Sequence, residues 1–182
     1  MKPRQICVYC GSSTGQDEAL TRAAATFGQL LAEAGVGLVY GGASIGIMGV
    51  IAKNVLQAGG QVTGVIPHFL SKAEVPLWDV SELVMTNSMH ERKQIMFERS
   101  DAFVAFPGGI GTLEELFEMI TWAQLGRHDH PIVIANINGF WDPLVDLLDH
   151  VITTGFAKSS VRQIYSVVHR VEDILPRIEA AL

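Results

Sequence analysis

Short apolar runs alternate along this chain with longer stretches of helical periodicity. Ile6 to Cys10 is an unbroken apolar run of strand length, and from Asp17 to Ala34 the residues Leu20, Ala24, Phe27, Leu31 and Ala34 recur at intervals of three or four. This spacing predicts a strand followed by an amphipathic helix, which Gly35 ends. Val36 to Tyr40 predicts a second strand, about Gly46 to Ala58 a second helix, and Val62 to Ile66 a third strand. Ala102 to Phe106 and Pro131 to Ala135 add two more strands, and Tyr165 to Val168 a sixth. No repeat, charge block or low-complexity linker interrupts the series. Strands that read as continuous apolar runs and alternate with helices predict an α/β fold, a parallel sheet with helices on both faces. Residues 1–182 are expected to form a single domain, since a chain of this length buries a sizeable core as one unit.

Three of the predicted strands run straight into glycine. Cys10 is followed by Gly11-Ser12-Ser13, Tyr40 by Gly41-Gly42-Ala43-Ser44, and Phe106 by Pro107-Gly108-Gly109. In an open parallel sheet, ligands bind outside the carboxyl ends of the strands, where backbone without side chains lets a phosphate or sugar approach. Three such loops on one edge make a nucleotide-sized crevice. Taken singly, each loop is equally well explained as a tight strand-to-helix turn.

Composition narrows the partners. A net charge of -6 and a pI of about 5.4 give no basic face for a nucleic acid polymer. A small anion needs only a helix end and one or two local cations. The Ile6 to Cys10 run is too short for a membrane span or a signal-peptide core, so the expected location is cytoplasmic. Cys7 and Cys10 have the C-x-x-C spacing, yet they lie inside a predicted strand and not at a strand-to-helix turn, which points to buried structural thiols.

Gly108 to Thr112 opens a helix that continues through Glu115, Phe117, Ile120 and Trp122, so its free N–H groups form an anion site. The loop is neither a Walker A motif, which needs Gly-Lys-Ser/Thr, nor the dinucleotide fingerprint, since Glu114 stands where the third glycine belongs. Glu115 has two readings. Thr112 and Glu115 have the spacing of a capping box, which would account for the glutamate without catalysis. Alternatively, a carboxylate one turn from a phosphate-binding helix end lies near the sugar of a bound nucleotide.

The segment from Ser88 to Phe97 also opens on a capping box, Ser88 with Glu91. Its apolar stripe is broken: Met89, Arg92, Lys93 and Met96 fall on one face, so two cations stand where burial is expected. They either snorkel to water at the edge of the core or meet an anionic partner or ligand. Arg92 is the better ligand-binding candidate, because its planar fork matches a phosphate or carboxylate. Among weaker candidates, His128-Asp129-His130 has no third ligand at a recognised metal spacing and is expected to be a solvated loop. Ser12, Ser13 and Ser44 lack the nucleophile-elbow pattern and are expected to serve as hydrogen-bonding loop residues. Trp78, Trp122 and Trp141 are expected in the core or an interface, and Ile47 and Met48 as ordinary helix-packing residues.

Pro107-Gly108-Gly109-Ile110-Gly111-Thr112-Leu113-Glu114-Glu115 resembles the P-G-G-x-G-T-x-x-E signature of the Lonely Guy (LOG) family of cytokinin riboside 5'-monophosphate phosphoribohydrolases, often labelled lysine decarboxylases. Met89-His90-Glu91-Arg92-Lys93 resembles that family's second motif, and the likeness runs from Cys10-Gly11-Ser12-Ser13 through Tyr40-Gly41-Gly42 and Gly46-Ile47-Met48-Gly49 to about Gly139. The resemblance implies a Rossmann-like homodimer that hydrolyses the N-glycosidic bond of AMP or N6-modified AMP without cofactor or metal. It places Arg92 and Glu115 in catalytic positions. It places Glu74, Lys93, Gly108, Gly109, Ile110, Gly111, Thr112 and Thr121 where the family contacts substrate. In that chemistry Glu115 would stabilise a cationic sugar and orient or deprotonate water, while Arg92 would act electrostatically, because guanidinium scarcely gives up a proton. Two other readings stay open: a nucleotide-binding or carrier protein of the same fold, and a transferase moving ribose phosphate to another acceptor.

Overall fold

The computed structural model describes residues 3–72 and 74–182. Among them the chain alternates strand and helix: β1 Gln5–Tyr9, α1 Glu18–Glu33, β2 Gly37–Tyr40, α2 Gly46–Gln57, β3 Val62–Pro67, β4 Glu82–Thr86, α3 Met89–Glu98, β5 Ala102–Ala105, α4 Ile110–Gln124, β6 Ile132–Ala135, α5 Asp142–Thr153, β7 Tyr165–Val168 and α6 Ile174–Glu179. The strands form one parallel sheet in the order β4-β3-β2-β1-β5-β6-β7. From β1 the chain builds outward to β4, then returns to β1's other side and builds outward again through β5. The reversal point, between β1 and β5, is where an open α/β sheet leaves a crevice at its carboxyl edge.

Side-chain alternation along β1 divides the core. Ile6, Val8 and Cys10 face a layer that includes Phe27 and Leu31 of α1, Ile51 and Val55 of α2, and Ile174 and Ile178 of α6. Cys7 and Tyr9 face the opposite layer, with Met96 of α3, Leu116 and Met119 of α4, and Leu144 and Leu148 of α5. Every residue of β1, β2, β3, β5 and β6 except Gln5 is buried, which is why these strands read as continuous apolar runs.

The strand missed by the periodicity is β4. It is a sheet edge whose residues are mostly half-exposed and which begins with Glu82, a partner of Arg99, so no unbroken apolar run marks it. Both ends of α1 carry the residue types expected of them. The Asp17 side chain accepts from the Ala19 N–H at 2.8 Å at the start of α1. Gly35 follows the end of that helix with φ of 65°. No helix among the described residues is long and apolar enough to cross a membrane.

One expectation divides and another needs correction. Trp78 is 69% exposed, so it is not core, although Trp141 is buried and Trp122 is half-buried beneath the Arg127 guanidinium. The His128 to His130 segment is not a freely solvated loop. The two imidazoles stack on each other and meet Phe97 and Phe103 edge-on, and His128 Nε2 lies 3.0 Å from the Met119 carbonyl. No group of three or more metal-ligating side chains forms among the described residues. Cys7 and Cys10 are free, buried thiols whose pKa values are pushed up by burial, consistent with a structural role.

Candidate active site

The site forms where the loops after β1, β2 and β5 converge. The Gly11 N–H donates to the Pro107 carbonyl at 3.1 Å, joining the first and third loops across the reversal point. Gly108 sits against this junction. A Cβ there would come within 2.1 Å of Thr112 Oγ1 and 2.7 Å of the Gly11 nitrogen, so only glycine lets the loops close. At Gly109 and Gly111 a Cβ would meet nothing within 4 Å. Packing does not demand glycine at those two positions. Their bare backbone faces the cavity at the start of α4.

Helix α4 begins at Ile110, with Gly109 as its N-cap and no side chain capping it. Thr112 and Glu115 are therefore inside the helix, and the capping-box reading of this pair is overturned. The first N–H groups of α4 have no side-chain acceptor, and the positive end of the helix opens on a cavity of about 180 Å³. Thr112 and Glu115 line that cavity with Gly109, Ile110 and Gly111.

Arg92 enters from α3. Ser88 caps this helix by accepting from the Glu91 N–H, while Glu91 Oε2 accepts from the N–H of Asn87, one residue before the N-cap, so the second capping box forms as a variant in which the return bond is shifted by one residue. Arg92 is only 6% exposed, so it does not snorkel to water. Its Nε donates to the Val65 carbonyl and its Nη2 to the Gly41 carbonyl, each at 3.1 Å. The guanidinium is thus held by neutral acceptors and keeps its charge available to the cavity. A Cβ on Gly41 would lie 2.1 Å from Nη2, so glycine after β2 is what allows Arg92 its place.

Glu115 is 8% exposed, and no hydrogen bond to another described residue ties its carboxylate down. Burial pushes its pKa up to about 7. Attraction to Arg92 and Lys93 opposes the rise, and repulsion from Glu114 and Glu74 adds to it. A carboxylate that titrates near neutrality can take a proton from water, and in its ionised form can stabilise an adjacent cation.

Of the residues singled out in the sequence, the cavity brings together Arg92, Glu115, Glu74, Gly109, Ile110, Gly111 and Thr112. Gly108 lies behind them, on a second cavity of about 270 Å³ walled by Leu20, Ile47 and Phe140. Lys93 and Thr121 are not in the cavity wall. Lys93 turns to Glu114 and Glu118, and Thr121 is exposed further along α4. Sequence reasoning missed Met96, although it stands one turn after Arg92 and so shares its face. Met48 is a buried helix-packing residue as expected, but it also lines the cavity, as do Cys10 and Ser12.

Comparison with known proteins points to one family. Residues 48–178 match the family described as "Possible lysine decarboxylase". A rice protein named "Probable cytokinin riboside 5'-monophosphate phosphoribohydrolase" is 46% identical over 175 residues, covering 96% of this chain and 78% of its own. A cytokinin riboside 5'-monophosphate phosphoribohydrolase of Arabidopsis thaliana is 42% identical over 177 residues, covering 97% and 78%. The chain belongs to the LOG family. Among solved structures, the molybdenum cofactor carrier protein of Chlamydomonas reinhardtii superposes with a TM-score of 0.72 at 22% identity, covering 100% of this chain and 98% of that one. The molybdenum cofactor binding protein of Rippkaea orientalis gives 0.71 at 23%, covering 99% and 97%. At such identities the likeness is one of fold, and it places this LOG-family chain in a Rossmann-like architecture. The decarboxylase description finds no support in Lys93. Burial alone would lower the Lys93 pKa, but bonds to Glu114 and Glu118 raise it overall, the opposite of what a Schiff-base lysine requires.

Proposed function

We propose that this chain is a nucleoside 5'-monophosphate phosphoribohydrolase that cleaves the N-glycosidic bond of AMP or N6-modified AMP, releasing the free base and ribose 5-phosphate. The observation that carries this reading is a buried, unbonded Glu115 carboxylate sharing one small cavity with the Arg92 guanidinium and the uncapped start of α4. The names of the relatives support the same reaction.

The three features divide the substrate between them. The N–H groups at Gly109 to Thr112 hold the 5'-phosphate, which favours monophosphates over nucleosides. The ribose then lies by Glu115. As the C1'–N9 bond breaks, its electron pair moves onto the purine and positive charge develops on the sugar. Ionised Glu115 stabilises that charge and takes a proton from the water that adds to C1'. Arg92 favours the electron-rich side of the reaction by its charge, the departing base takes a proton from a second water, and the hydroxide left behind takes the proton held by Glu115, which restores the carboxylate. Only the chain's side chains and water enter this sequence. Glu74, whose Oε2 is buried without a partner among the described residues, lines the cavity beside the substrate.

The protein is further proposed to act in the cytoplasm as a homodimer, with the half-buried Trp122 and, on α5, Val145, Leu147 and Val151 supplying a self-associating face, since Leu148 and Ile152 pack in the chain's own core. Light scattering during size-exclusion chromatography tests the dimer. The reaction is tested by incubating the purified chain with a panel of nucleoside monophosphates and identifying released bases by chromatography. Release from AMP or an N6-prenylated AMP is expected. Tight binding without release indicates a carrier, and release that depends on an added acceptor indicates a transferase.

A further inference from the structure

Two adjacent pairs of charged residues face each other across the site: Arg92 and Lys93 on α3, Glu114 and Glu115 on α4. Neighbouring residues on a helix diverge by about 100°, so one member of each pair can enter the cavity while the other meets the opposite helix. Arg92 and Glu115 line the cavity. Lys93 Nζ lies 2.6 Å from Glu114 Oε1 and 3.1 Å from Glu118 Oε1, its side chain only 9% exposed. Glu114 and Glu118 are one helical turn apart on the same face of α4, so a single ammonium joins α3 to two successive turns. The Glu118 Oε2 atom is buried without a partner among the described residues, so Lys93 is the main compensation for that carboxylate.

We infer that Lys93, Glu114 and Glu118 form a charge clamp between α3 and α4, with Lys93 buried and Glu114 open to solvent, that holds Arg92 and Glu115 in place across the cavity, and that Lys93 is a positioning residue and not a phosphate ligand. To reach a phosphate, Lys93 would have to leave both carboxylates and strand Glu118 in a largely buried setting, which is strongly disfavoured. The inference rests on the proposed hydrolysis for its kinetic readout, but it also has a readout of its own.

The clamp is coupled electrostatically to Glu115. The groups facing that carboxylate are Arg92 and Lys93 from α3, Glu114 on its own helix, Glu74 from the β3–β4 connection, and Cys7, Tyr9 and Cys10 from β1. Lys93 favours the ionised form of Glu115 and Glu114 disfavours it. Lys93→Met and Glu114→Gln should therefore move the acid limb of the kcat/KM profile in opposite directions, the first to higher pH and the second to lower.

The test measures AMP hydrolysis against pH for Lys93→Met, Lys93→Arg, Glu114→Gln and Glu118→Gln, with folding checked by circular dichroism. Lys93→Met is expected to lower kcat by about 10-fold or more while KM changes by less than about 3-fold, and Lys93→Arg to restore most of kcat. A KM raised by about 10-fold or more, with kcat and the acid limb unchanged, would overturn the clamp in favour of a substrate-binding lysine. If Lys93→Met does not fold, the shift of the acid limb in Glu114→Gln and a kcat loss in Glu118→Gln decide the matter, and the absence of both overturns it. If the native chain releases no base, the proposed function fails by itself. Calorimetric AMP binding then tests the clamp, with an unchanged Kd in the lysine variants supporting it and a loss of about 10-fold or more overturning it.

Discussion

Helices α3 and α4 begin with the same hydroxyl-x-x-glutamate spacing, Ser88 to Glu91 and Thr112 to Glu115, and only α3 uses it as a cap. In α3 the hydroxyl and the carboxylate each take a backbone N–H, which leaves that helix end satisfied and chemically quiet. In α4 the helix starts earlier, at Ile110, because Gly109 carries the chain in an extended conformation up to the first turn. The shift moves Thr112 and Glu115 into the helix body, leaves the first N–H groups open to the cavity, and frees a carboxylate to titrate near pH 7. The same local pattern therefore stabilises one helix and equips the other.

The contrast is sharpest in paired substitutions. Glu115→Gln is expected to lower base release by roughly 10²- to 10⁴-fold in a chain that remains folded, whereas Glu91→Gln should leave turnover within about 2-fold. Initial-rate measurements on both variants, with circular dichroism as a control, decide it; near-normal turnover in Glu115→Gln would remove the residue from the mechanism.

Gly41→Ala is the next largest expected effect. The new Cβ would occupy space held by Arg92 Nη2, and displacing a cavity cation by about 1 Å can lower kcat/KM by on the order of 10²-fold. Thermal unfolding should change much less than activity. A normal kcat/KM would show that Arg92 tolerates displacement.

The pH dependence separates the two helix starts again. If ionised Glu115 is required, kcat/KM should fall below about pH 7 and approach a tenfold decrease per unit at lower pH. A profile flat from pH 5 to 8 would contradict this. Stability should run the other way. A carboxylate whose folded pKa is raised contributes stability that is present below its unfolded value and is lost as pH rises through about 7. Glu115→Gln should thus unfold at higher denaturant concentration than the native chain at pH 8, by about 1–3 kcal/mol, with the difference vanishing near pH 4.

The smallest effect is expected at the quiet helix end. Ser88→Ala should cost about 1 kcal/mol in denaturant unfolding and leave base release unchanged. Thr112→Ala removes no cap, so any loss there should appear in KM or kcat and not through capping.

Much of this fold was legible because its central strands are buried on both faces, and such strands appear in sequence as unbroken apolar runs. Edge strand β4 escaped notice because half of its surface faces water, which leaves only a short apolar stretch between Glu82 and Thr86. The site was legible in part. The three strand-to-glycine junctions do converge, and the pair of cations on an apolar helix face marked the right turn of α3. Spacing alone could not tell Arg92 from Lys93, since both are buried to a similar degree. Their roles diverge only because Val65 and Gly41 present carbonyls to one while Glu114 and Glu118 present carboxylates to the other.

By itself, the sequence determined the alternation of strand and helix, the glycine loops at three strand ends and the placement of charged residues on two helices, because each of these follows from local periodicity and backbone sterics. The tertiary structure decided which capping box forms, which cation enters the cavity and where the Glu115 carboxylate titrates. Those outcomes depend on desolvation and on partners far away in sequence, and no local pattern encodes the distance between α3 and α4.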